Sequence, residues 1–146
     1  MRSHPPASRR NLTMTRTQVT ELLDRFARGW KDLDGDQVTS CFVDSPATTV
    51  IGTDEGEHFE GWRAYAQSWR AGRPTHVTTF SWEDSRSIEI AGDVAWAHGV
   101  IDFDITSTDA RAVGRMWITC VARRVSSRWL IAHLHASFAG PVQSVE

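Results

Sequence analysis

The chain has 146 residues, enough for one domain that buries its own apolar surface without a disulfide or a metal, and too few for two. Its 16 Lys and Arg against 18 Asp and Glu give a net charge of -2, with no basic patch interleaved with aromatics, which argues against a nucleic-acid partner. No apolar run approaches the roughly 20 residues of a membrane span and the N-terminus lacks the apolar core of a signal peptide, so a soluble, cytoplasmic protein with no membrane partner is expected.

Residues 1–14 read as a disordered leader: they are polar, carry Pro5 and Pro6, and show no periodicity, and Met14 is an alternative start. Residues 15–33 read as a long amphipathic helix, with Val19, Leu22, Leu23, Phe26, Trp30 and Leu33 at helical spacing and Thr15 with Gln18 as a capping box. Asp34-Gly35-Asp36 ends it. A short second helix to about Val43 follows, and Asp34 with Gln37 repeats the capping signature.

After the turn at Pro46, residues 47–51 read as a strand, and 52–61 as a loop or short hairpin whose acids form a solvated rim. Trp62, Tyr65, Ala66 and Trp69 mark a third helix over 62–71, stopped by Gly72. Strands are expected at 75–82, 87–91, 94–106, 111–124 and 128–138, joined by turns short enough to make them antiparallel. Residues 15–139 thus form one α+β domain, with 140–146 as a short tail.

Seven tryptophans stand against a single tyrosine, and such rings fill cores, line pockets for flat ligands and anchor subunit contacts. Cys41 and Cys120 both sit in apolar patterns, so two free thiols are expected rather than a bridge.

Alternation divides the last strand into an apolar face and a face bearing Trp129, Ile131, His133, His135 and Ser137. Buried imidazoles need partners, so this second face is expected to line a polar pocket. On strand 94–106, Trp96, His98 and Asp102 share one face, and on strand 111–124 so do Arg115, Trp117 and Thr119. Whether Thr119 pairs with Leu134 or with His135 depends on the turn at Ser126-Ser127, and a one-residue slip exchanges the faces. A His-x-His pair can ligate a metal only with further ligands that no spacing here demands, and no nucleophile elbow, phosphate loop or dinucleotide fingerprint occurs.

Element order and several short fragments resemble the SnoaL-like branch of the nuclear transport factor 2-like superfamily. The fragments are Trp30 with Asp34-Gly35-Asp36, Val50-Ile51-Gly52-Thr53-Asp54 with Glu57, Gly61-Trp62, Gly92-Asp93-Val94-Ala95-Trp96, and the closing run from Trp129 to Ser137. The resemblance implies a cone: a curved antiparallel sheet with three N-terminal helices around an internal pocket, its convex face often used in dimers. The superfamily holds isomerases, dehydratases, cyclases and non-catalytic modules, so the fold does not name a reaction. The carboxylate, tyrosine and neutral acid of ketosteroid isomerisation are not carried over, because Val50-Ile51-Gly52, Met116, Phe26 and Trp30 occupy the corresponding places.

The expectation is a homodimeric, cofactor-independent enzyme of the isomerase, cyclase, dehydratase or hydratase type, acting on an aromatic or polyketide-like small molecule. His133, His135 and Asp102 are the candidates for proton transfer. Trp30, Trp96, His98, Arg115 and Trp117 are the candidates for substrate binding, with no metal. The alternative is a non-catalytic ligand-binding or dimerisation module.

Overall fold

In a computed structural model, which describes residues 8–72, 74–108 and 110–145, helix α1 spans Arg9–Lys31. It buries Val19, Leu22, Leu23 and Phe26 along one stripe, and side chains of this size contribute about 1.5–3 kcal/mol each when fully buried. The helix begins before the apolar stripe does. Ser8 is its N-cap, with the hydroxyl accepting from the Asn11 N–H at 3.3 Å, and the Thr13, Thr17 and Thr20 hydroxyls donate to carbonyls one turn back. Thr15 is therefore interior rather than capping, and the expected leader is helical from residue 9. Periodicity missed these turns because they are exposed; residues 1–7 lie outside the described part.

Helix α2 (Gly35–Ser40) starts where the capping signature placed it: the Asp34 carboxylate accepts from the Gln37 N–H at 3.0 Å, a cap of about 1 kcal/mol. It stops short of Val43 because the chain turns onto the sheet, where Phe42 bridges Ile131 and the Val43 N–H donates to the Ile131 carbonyl at 2.8 Å. Gly29 lets α1 and α2 close on each other, since a Cβ there would lie 2.7 Å from Val38 Cγ2. Helix α3 (Trp62–Ala71) is anchored by its first residue, whose indole N–H donates to the Thr39 carbonyl at 2.9 Å.

The strands are β1 (Thr49–Ile51), β2 (His58–Glu60), β3 (His76–Trp82), β4 (Ser87–Ala91), β5 (Val94–Ser107), β6 (Ala110–Val125), β7 (Arg128–Phe138) and β8 (Gln143–Val145). They form one curved, open sheet in the order β2-β1-β7-β6-β5-β3, with β4 beside β5 and β8 beside β6. The late strands pair antiparallel, but β1 runs parallel to β7, so the sheet is mixed. The expected tail supplies β8, which pairs with Arg111–Val113 where β7 has ended. Together these make the α+β cone, with the helices over the concave face.

The β6–β7 hairpin closes through two residues, with Val125 opposite Arg128. A regular ladder from that turn would set Thr119 against Leu134. Instead Ala122 pairs with Ile131 while Val121 pairs with His133, so Ala132 is an extra residue on β7 and Thr119 stands opposite His135. This bulge changes which side chains look inward. Trp129 and Ile131 are buried before it, Leu134 and Ala136 after it, and His133 and His135 face outward.

Candidate functional site

The concave face and the helices enclose a cavity of about 360 Å³, at the lower end of the range for small-molecule sites. One wall is aromatic. Phe26 and Trp30, one turn apart on α1, meet Phe80 from β3, and Phe59 and Tyr65 continue the surface from β2 and α3. Trp30 stacks on Phe80 with centroids 5.3 Å apart and planes 14° from parallel, and it meets Trp69 in a T-shaped contact with centroids 4.7 Å apart. The opposite wall is aliphatic and low, made by Ala112, Met116 and Ile118 of β6 with Leu134 and Ala136 of β7.

Polar groups are few and gathered. Tyr65, 3% exposed, lines the cavity and packs against Phe42 and Phe59 with centroids 5.0 and 5.6 Å away. Gly52, Thr53, Asp54 and Glu57 come from the turn between β1 and β2. Glu57 is half-buried and held by its own turn: its carbonyl accepts from the Gly52 N–H at 2.7 Å, and its carboxylate accepts from the Asp54 N–H at 3.1 Å. Any Cβ at Gly52 would collide with the Glu57 side chain. A positioned carboxylate beside a phenol-lined apolar cavity can move a proton to or from a ligand.

Of the residues singled out from sequence, Trp30 lines the cavity. His133, His135, Asp102, Trp96, His98, Arg115 and Trp117 do not; they lie on the convex face of the sheet. His133 Nδ1 is hydrogen-bonded to the Thr49 hydroxyl at 2.7 Å, and His135 is exposed. Trp96 and Trp117 are 49% and 46% exposed, with the His98 ring 6.3 Å from that of Trp117. Arg115 donates to both carboxylate oxygens of Glu83 at 3.1 and 2.9 Å, which holds its guanidinium more firmly charged, and lies 3.8 Å from Asp102. The sequence argument ran the right alternation with the faces exchanged: it placed the imidazoles inward, whereas the cavity takes the apolar residues of each strand.

Tyr65, Glu57 and Asp54 were missed as site residues. The available signals were a lone tyrosine on the apolar stripe of a helix and a glycine five residues before a glutamate on a tight turn. Among the described residues no three His, Cys, Asp or Glu side chains converge as metal ligands, and no helix is long and apolar enough to cross a membrane. Cys41 and Cys120 are free and buried.

Solved structures share this architecture. A nuclear transport factor 2-like superfamily protein from Salmonella enterica serovar Typhimurium superposes with a TM-score of 0.77 at 19% identity, over 89% of this chain and 94% of that one. A Novosphingobium aromaticivorans protein named as a candidate scytalone dehydratase gives 0.77 at 11% identity, over 93% and 90%. A Streptomyces avermitilis protein named as a candidate dehydratase of the same superfamily gives 0.72 at 16%, over 86% and 96%. At these identities the likeness establishes the fold alone. No curated protein matches the chain significantly. The SnoaL-like domain family matches residues 19–141, nearly the whole described fold, and the chain belongs to that family.

Proposed function

We propose that the cavity takes a flat, mostly apolar aromatic or polyketide-like molecule, and that the protein acts on it by cofactor-independent acid–base chemistry of the isomerase, cyclase, dehydratase or hydratase type. The observation that carries this reading is the slot between the Trp30–Phe80 stack and the low wall of Ala112 and Ala136, with one half-buried carboxylate at its rim. Glu57 replaces His133, His135 and Asp102 as the group proposed to exchange a proton with the ligand, and Trp30 keeps its proposed place as a pocket wall. The fold neighbours named as candidate dehydratases support the reaction class without fixing the substrate.

The test is a panel of flat aromatic and polyketide-like compounds, read by thermal shift and tryptophan fluorescence and then by product analysis. The parent chain is expected to bind members that Ala136→Trp, which fills the slot, does not. Glu57→Gln is expected to bind them and not turn them over. Binding unaffected by Ala136→Trp would overturn the pocket assignment, and turnover unaffected by Glu57→Gln would remove Glu57 from the chemistry.

A second reading, self-association through the convex face, is favoured by a separate observation: Trp96 and Trp117 each stand about half-exposed on it. Such rings are typical of subunit contacts. A dimer in solution that Trp117→Lys converts to a monomer is the expected result, and a monomer at all concentrations would refute it.

A further inference from the structure

Gly114 of β6 interrupts the low wall of the cavity. Ala112 and Met116, which share its face of the strand by alternation, both line the cavity. The gap between them is covered from the neighbouring strand. Phe103 of β5 stands opposite Gly114, and a Cβ at Gly114 would lie 3.1 Å from Phe103 Cζ and 3.4 Å from Val142 Cγ2. The Phe103 ring therefore leans onto the backbone of β6 instead of rising from the sheet. It is 4% exposed, lines the cavity, and has the ring of Phe138, another lining residue, 6.0 Å away.

The lining next to Phe103 is apolar, with Ile105, Met116 and Phe138. Strand β5 is three places from β1 in the sheet, and the turn after β1 carries Thr53, Asp54 and Glu57. The cavity thus has a polar end at that turn and an apolar end at Phe103. Gly114 decides how far the apolar end reaches. A side chain there would project from the concave face, and a ring lifted off that face has only the cavity to move into.

We infer that Phe103 is the surface on which the far end of the ligand rests, and that Gly114 is a positioning residue that sets the ligand length through it. The inference rests on the pocket reading above and narrows its ligand class. The ligand is a flat ring system with its polar group toward Glu57 and an apolar extension toward Phe103. An apolar pocket discriminates by about 10–200-fold for each methylene that does not fit, so lifting the ring penalises long ligands and spares short ones. A ring laid over a strand glycine also steadies the strand. That role alone would alter stability and leave the preference between long and short ligands where it was.

The experiment is calorimetric titration of the full chain with two probes: hydroxynaphthalene, and hydroxynaphthalene bearing a propyl chain on the ring remote from the hydroxyl. The readout is the ratio of the long probe's dissociation constant to the short one's. Gly114→Val is expected to raise this ratio at least about tenfold, and Phe103→Leu to lower it. Added to Phe103→Leu, Gly114→Val should change the ratio no more than about twofold, because the ring it acts through is gone. A smaller rise in Gly114→Val alone, or a full rise that persists beside Phe103→Leu, overturns the inference and leaves the pocket reading standing. If the parent binds neither probe, or Ala136→Trp weakens neither, the pocket reading falls and the inference with it. If circular dichroism shows Gly114→Val unfolded, Phe103→Leu decides, and a ratio equal to the parent's overturns the inference.

Discussion

Trp30 and Phe80 stack nearly parallel, 5.3 Å between centroids, and join the first helix to the third strand at the wall of the cavity. Phe80 is 5% exposed and also meets the edge of Phe26 at 6.3 Å. Phe80→Ala removes both contacts and enlarges the slot. The expected loss of stability is about 3–5 kcal/mol, measured by urea unfolding, with a lower affinity for any flat ligand the parent binds.

Gly52 faces the Glu57 side chain so closely that its missing Cβ is part of the site: one there would lie 2.8 Å from Glu57 Cβ. Gly52→Ala is expected to push the carboxylate off its turn, costing about 1–3 kcal/mol as overpacking does and lowering turnover more than binding. Comparing ligand affinity with product formation in this variant checks the assignment. Equal losses would make Gly52 structural only.

Arg111 donates to both carboxylate oxygens of Asp104 at 2.8 and 2.7 Å, holding that carboxyl below the ordinary carboxylate range. A depressed folded-state value means the pair contributes fully above the unfolded value of about 3.9 and loses its contribution as pH falls through the folded one. Asp104→Asn is therefore expected to be less stable than the parent by a constant amount between pH 5 and 8. The gap should close below about pH 4. Denaturant titrations across that range measure it.

Burial pushes the Cys41 thiol up to about 11 and the Cys120 thiol up to about 12, with nearby arginines only partly offsetting this at Cys41. Neither should form a thiolate at pH 8 in the native protein. A colorimetric thiol reagent is expected to count no rapidly reacting cysteine in the folded chain and two after denaturation. Rapid native reaction at either would contradict the burial described for it.

Most of the fold was legible because its long elements repeat a strong pattern. The apolar stripe of α1, the Asp34 cap, the third helix and the bounds of β4 and β7 all follow from periodicity and turn chemistry. Exposed helix turns at Arg9 and the short β8 carry no apolar pattern and were not legible. The site failed for a different reason. Alternation tells which side chains share a face but not which face looks inward, and the imidazoles drew the choice toward the convex side. Glu57 read as rim charge because its hold on Gly52 is a contact made through space by a turn.

Ala132 divides β7 into two reading frames. In the first, odd-numbered residues belong to the interior; in the second, even-numbered ones do. Deleting that one residue would merge the two frames into one, with Trp129, Ile131, Leu134 and Ala136 alternating without a break on the interior face and the local bend of the bulge lost. A substitution scan along β7 should accordingly tolerate polar residues at alternate positions, with the phase of that tolerance reversing once, at Ala132.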